Sequence, residues 1–151
     1  MTLLRSFGRS AADPAGTLSS QSRTAGILAL LPLGVLAAVF WWRPLAAPEA
    51  AMISAGLSYG AALIALTNGL RWGMARLSPA GLIVTLAALA SLLMPPAIGL
   101  VLLVAMFFLN ALIHVTAVER GLLPYWFGSL TSLLTAGAVV ALLAIMVRLL
   151  I

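Results

Sequence analysis

Five apolar runs follow one another with almost no polar chain between them: residues 26–42, 50–70, 79–94, 97–118 and 126–148. A helix needs roughly 20 mostly apolar residues to cross the hydrocarbon core of a bilayer. Each run approaches that length, the third being short for a crossing. Connections of a few residues force consecutive helices to lie antiparallel as neighbours, and they leave no room for an extramembrane domain. The composition agrees. Of 151 residues, 64% are hydrophobic and only 7% are charged, against roughly 25% charged in an average soluble domain. A soluble fold would have to cover its surface with charges that this chain lacks, so a soluble enzyme, a nucleic-acid binder and a disordered chain are excluded. The sequence predicts an all-α fold, a polytopic transmembrane helical bundle of about five spans.

The pI of about 11.5 is not a nucleic-acid signal. It arises from Arg5, Arg9, Arg23, Arg43, Arg71, Arg76, Arg120 and Arg148 set against Asp13, Glu49 and Glu119. These arginines form no basic stripe, which a nucleic-acid footprint would need. Scattered through an apolar chain, they read as topology markers. With five spans, one face holds Arg5, Arg9, Arg23, Arg71, Arg76 and Arg120, and the other holds Arg43 and Arg148. The positive-inside rule then predicts a cytoplasmic N-terminus in a bacterial inner membrane, or the matrix side in a mitochondrial one. Four spans with a re-entrant third segment is the rival topology. There is no Cys, so no disulfide, thiolate metal site or covalent haem attachment is available.

Residues 1–24 form a polar, Arg- and Ser-rich tail, and residues 25–151 form the membrane domain. The first run is read as an uncleaved span rather than a signal peptide. Trp41-Trp42-Arg43-Pro44 is an interface signature, and no clean small-residue cleavage site follows. Pro32 lies inside that span, which membrane helices tolerate.

Titratable groups are scarce. His114 lies one turn beyond Asn110 and two beyond Met106, so the three share a helical face. An intramembrane His is a candidate haem or metal ligand or proton relay; the alternative is a neutral imidazole hydrogen-bonded to a neighbouring helix. One His and three carboxylates cannot supply the three or four ligands of a mononuclear metal site. No metal or cofactor is predicted. Glu119-Arg120 reads as a solvated span exit, because adjacent helical residues do not face each other. No HExxH, GxSxG or P-loop is present, and no catalytic residue is assigned.

The second run is the most informative. Gly56/Gly60 and Gly69/Gly73 are GxxxG pairs, with Ala65 on the same small-residue stripe. Such stripes let helix backbones approach closely. Packing within the chain is the preferred reading, and a homodimer face the other. Thr67, Asn68 and Arg71 follow, beside Trp72. The fork of Arg71 suits a lipid phosphate, a quinone carbonyl or an anionic substrate; the plainer reading is an interfacial anchor. The intramembrane polar candidates are therefore Thr67, Asn68, Asn110 and His114, and the weak cofactor-binding candidates are His114 and Arg71.

Tyr59-Gly60-Ala61 followed by Asn68-Gly69-Leu70-Arg71-Trp72-Gly73-Met74-Ala75 resembles the hallmark of the DUF3429 family, the bacterial relatives of the transmembrane protein 69 family of mitochondria. Leu30-Leu31-Pro32 is similar to a family L-(I/L)-P. Glu119-Arg120 stands where relatives tend to carry an acidic residue with a basic neighbour. Leu123-Pro124-Tyr125-Trp126-Phe127, Leu130 and Leu133-Leu134-Thr135 resemble a further family stretch. The likeness covers about residues 27–144. It departs at Thr131, where relatives often have Arg, at Leu66 for a usual Phe, and at Arg71 for a frequent His. The resemblance implies a small helical protein of bacterial inner membranes or mitochondria, and implies no activity.

Three functions follow as expectations. The first is a non-catalytic accessory, assembly or stabilising component of a larger respiratory or photosynthetic membrane complex, with lipid and other membrane subunits as partners. The second is a small transporter or channel using Thr67, Asn68, Asn110 and Pro32. The third is a haem- or quinone-binding subunit using His114 and Arg71, with Tyr59 as an optional addition.

Overall fold

The computed structural model describes residues 20–42, 49–74 and 78–150. They form five helices: α1 Ser20–Trp42, α2 Glu49–Met74, α3 Pro79–Ala90, α4 Pro96–Glu119 and α5 Tyr125–Leu150. A 3₁₀ turn, Ser91–Leu93, extends α3. No strand occurs among the described residues. The all-α bundle expected from the apolar runs is therefore the fold. Helix α1 begins at Ser20, so the last residues of the expected tail are helical. Arg5, Arg9, Arg43 and Arg76 of the topology argument lie outside the described residues.

Proline and glycine set the boundaries. Pro79 occupies the first turn of α3 after an extended Ser78 (φ −103°, ψ 122°), where its missing N–H costs nothing. Pro95 and Pro96 open α4. Gly121 closes it: its φ of 70° lets Gly121 N–H reach Val118 O at 2.9 Å and Leu122 N–H reach Ala117 O at 2.9 Å. Those two bonds are a Schellman closure of the last free carbonyls. Pro32 lies within α1, which continues through it.

Helix α2 touches all four others. Helices α4 and α5 pack on it and on each other, while α1 lies against α2 and α5 and α3 lies against α2 and α4. A Cβ on Gly26 would meet Leu130 and Leu133, and one on Gly137 would meet Leu30. Trp41 Nε1 donates to Ala144 O at 3.0 Å. These pairings ascend both helices together, so α1 and α5 run parallel. The core joins Leu33, Phe40, Ile64, Leu100, Leu103 and Leu142, all essentially solvent-free.

The bundle is apolar outside as well as inside. Ile27, Ile83, Val101, Phe108, Leu112 and Val140 are all more than half exposed. In water that surface would drive association; in lipid it is the solvated surface. Helix α1 from Thr24, together with α2, α4 and α5, is long and apolar enough to cross a membrane. The unit from Pro79 to Leu93 is apolar but shorter. It leads from the level of Asn68, beside Gly81, to that of Leu57, beside Gly99 and Ser91, and α4 returns. The bundle is thus compatible with an integral membrane protein.

A buried polar cluster as the candidate functional site

The polar residues singled out from the sequence converge at one end of the bundle, where α2 and α4 finish and α3 and α5 start. Asn68 is fully buried and Asn110 nearly so. Asn68 Nδ2 donates to Asn110 Oδ1 at 2.9 Å, to Thr85 Oγ1 at 3.1 Å and to Ile64 O at 3.2 Å. Asn110 Nδ2 returns across the same interface to Thr67 Oγ1 at 3.1 Å. Both hydroxyls are passed on to their own helices, Thr67 Oγ1 to Ile64 O at 3.0 Å and Thr85 Oγ1 to Gly81 O at 2.9 Å. One network therefore ties α2, α3 and α4. Buried amides need such partners, since an unpaired polar group in an apolar medium is costly.

One turn closer to the helix ends, the accounting is incomplete. Arg71 is 8% exposed and His114 0%. Arg71 Nε and Nη1, both ring nitrogens of His114, Trp72 Nε1 and Asn68 Oδ1 are buried without a hydrogen-bond partner. Asn68 and Arg71 are neighbours, and His114 stands one turn beyond Asn110, the partner of Asn68, on α4. A Cβ on Gly81 would stand 2.8 Å from Asn68 Oδ1 and 3.6 Å from Arg71 Nη1. From α5, Phe127 meets the His114 ring edge-on, with centroids 5.1 Å apart and planes at 67°. The imidazole is held by packing rather than by hydrogen bonds.

The other candidates lie elsewhere. Tyr59 donates to Ala29 O at 2.7 Å, joining α2 to α1. It stands nine residues before Asn68 on α2, roughly 13 Å along the axis at about 1.5 Å per residue. It does not share a site with Arg71 and His114. Met106 packs on the main core. Glu119 and Arg120 are exposed, as a solvated exit should be.

The small-residue stripe divides. Gly60 faces Leu103 and Phe107 of α4, and Gly56 faces Ile145 of α5. Ala65 is half-buried. Gly69 and Gly73 have nothing within 4 Å of an added Cβ, so the second GxxxG pair turns outward instead of packing within the chain. Pro32, the proposed transport kink, is exposed on α1 and has no part in the polar cluster.

Sequence reading missed Gly81, Thr85 and Phe127. Thr85 was the findable one: it is the one polar residue between Pro79 and Ala90, four positions after the glycine whose carbonyl it bonds. Among the described residues, no three His, Cys, Asp or Glu side chains converge. Compared with known protein families, curated proteins and solved structures, the chain matches none.

Proposed function

We propose that the chain is an integral membrane protein of the bacterial inner membrane, N-terminus cytoplasmic, acting as a non-catalytic accessory, assembly or stabilising component of a larger membrane complex. The observation that carries this reading is the outward face of α2. Ala51, Ala55, Ser58, Ala62, Gly69 and Gly73 are exposed there, and the last two have open space over their Cα atoms. In lipid, helices associate through close backbone approach at small residues, and this stripe offers such an approach to another membrane helix. The arrangement of Asn68 and Asn110 supports a structural role over a pore, because their amides are bonded to each other. The arginine distribution supports the orientation.

The test is purification from native membrane under gentle conditions, with identification of whatever accompanies the protein. Gly73→Leu, which has room within the chain, should release that partner while the bundle stays monodisperse. A wild-type protein that emerges alone from lipid nanodiscs overturns the accessory reading.

A further inference from the structure

We propose that Arg71, His114 and Asn68 line a binding site for one phosphate-type oxyanion, with Arg71 as its anchor. A guanidinium remains protonated in a protein. Here it is more than nine-tenths buried among apolar helices, and no described carboxylate answers it: Glu119 is exposed beyond the end of the cluster, and Glu49 begins α2 at its far end. A buried cation without acceptors is the most expensive kind of unpaired group. The two unsatisfied atoms, Nε and Nη1, belong to different edges of the planar fork. Phosphate oxygens accept charge-assisted hydrogen bonds from such a fork, which suits them in geometry as well as in charge.

The remaining orphans fit the same ligand. An uncharged imidazole offers one N–H donor and one acceptor nitrogen, and Asn68 Oδ1 offers a second acceptor. A phosphate carrying a hydroxyl, on itself or on the adjoining glycerol, donates to such acceptors while its charged oxygens face Arg71. Gly81 lets α3 approach these groups closely, since a methyl there would press on Asn68 Oδ1 at 2.8 Å. Arg71 lies three residues from the end of α2 and His114 five from the end of α4, roughly 5 and 7 Å along their axes. That is headgroup depth for spanning helices. The phosphate is that of an anionic lipid headgroup or a free phosphate ion, and the chemistry of capture is shared.

The experiment uses the full chain in two arms. In nanodiscs of phosphatidylglycerol and phosphatidylcholine, native mass spectrometry counts the phosphatidylglycerol retained on the released protein. In pure phosphatidylcholine nanodiscs, equilibrium dialysis measures binding of radiolabelled inorganic phosphate. Wild type is expected to bind in at least one arm, which identifies the source. Arg71→Gln should weaken that binding about tenfold or more, the size of a lost charge-assisted hydrogen bond, and Arg148→Gln, at the far end of α5, should not change it. Arg71→Lys keeps the charge without the fork and should lose several-fold; should Arg71→Gln fail to give monodisperse protein, this variant decides. Binding in neither arm, or binding unchanged by both Arg71 substitutions, overturns the proposal and leaves water as the partner of these atoms.

Discussion

Asn68 and Asn110 face each other across the α2–α4 interface, and each uses its amide on the other helix: Asn68 donates to Asn110, and Asn110 donates to Thr67, the residue beside Asn68. Exchange in both directions fixes the rotation of both helices, because turning either one breaks both bonds.

Replacing Asn110 by Leu removes that exchange and leaves Asn68 Nδ2 with Thr85 and Ile64 alone. The expected cost is about 1–2 kcal/mol, the range for interhelical hydrogen bonds in membrane proteins. Unfolding in mixed micelles measures it. A double-mutant cycle with Asn68→Ala and Asn110→Ala should give a coupling of about 0.5–1.5 kcal/mol, and strict additivity would show that the two amides do not act together.

Glycines that look equivalent in sequence should separate by experiment. Gly137→Val drives a side chain into Leu30, whose Cδ1 stands 2.5 Å from an added Cβ, and overpacking of this kind costs about 1–3 kcal/mol. Gly69→Ala meets nothing within 4 Å; helix propensity favours it by about 0.5–1 kcal/mol. Thermal midpoints of the two variants in one detergent should move in opposite directions.

At the α4–α5 turn, Gly121→Ala should destabilise the protein by about 1–2 kcal/mol although the space around it is open. The cause is the positive φ, which an L side chain adopts only with strain. Gly121→Asn should recover part of the loss, since Asn tolerates the left-handed region. Equal loss for both would mean that conformation is not the reason.

Tyr59→Phe deletes the hydroxyl that reaches Ala29 O and should cost about 0.5–1.5 kcal/mol. Because α1 packs only on α2 and α5 among the described helices, the loss should appear first as faster proteolysis or amide exchange within α1, with α4 unchanged.

The five helices were legible because apolar runs of bilayer length bounded by Pro and Gly have few alternatives. Of the cluster, Asn68, Asn110, Arg71 and His114 were legible too, as polar residues stranded in apolar runs. Their convergence was not, because depth along a helix can be read from sequence while facing direction cannot. In a lipid-facing bundle both faces of a helix are apolar, so periodicity no longer marks the inside. The same loss of contrast hid the outward turn of Gly69 and Gly73. It also hid Tyr59, which is polar at its tip alone and serves α1 rather than the cluster.

The parallel pairing of α1 with α5 has a consequence for how the protein is made. Helix α1 leaves the ribosome before α5, the helix it rests against, with about eighty residues between Trp42 and Tyr125, on the order of ten seconds of synthesis at about 5–20 residues per second. During that wait α2 is the one described helix already made that packs on α1, and the Tyr59 hydroxyl ties the two together at Ala29 O. The bundle closes only when α5 arrives, so a chain truncated before Tyr125 leaves α1 half-housed and open to quality control.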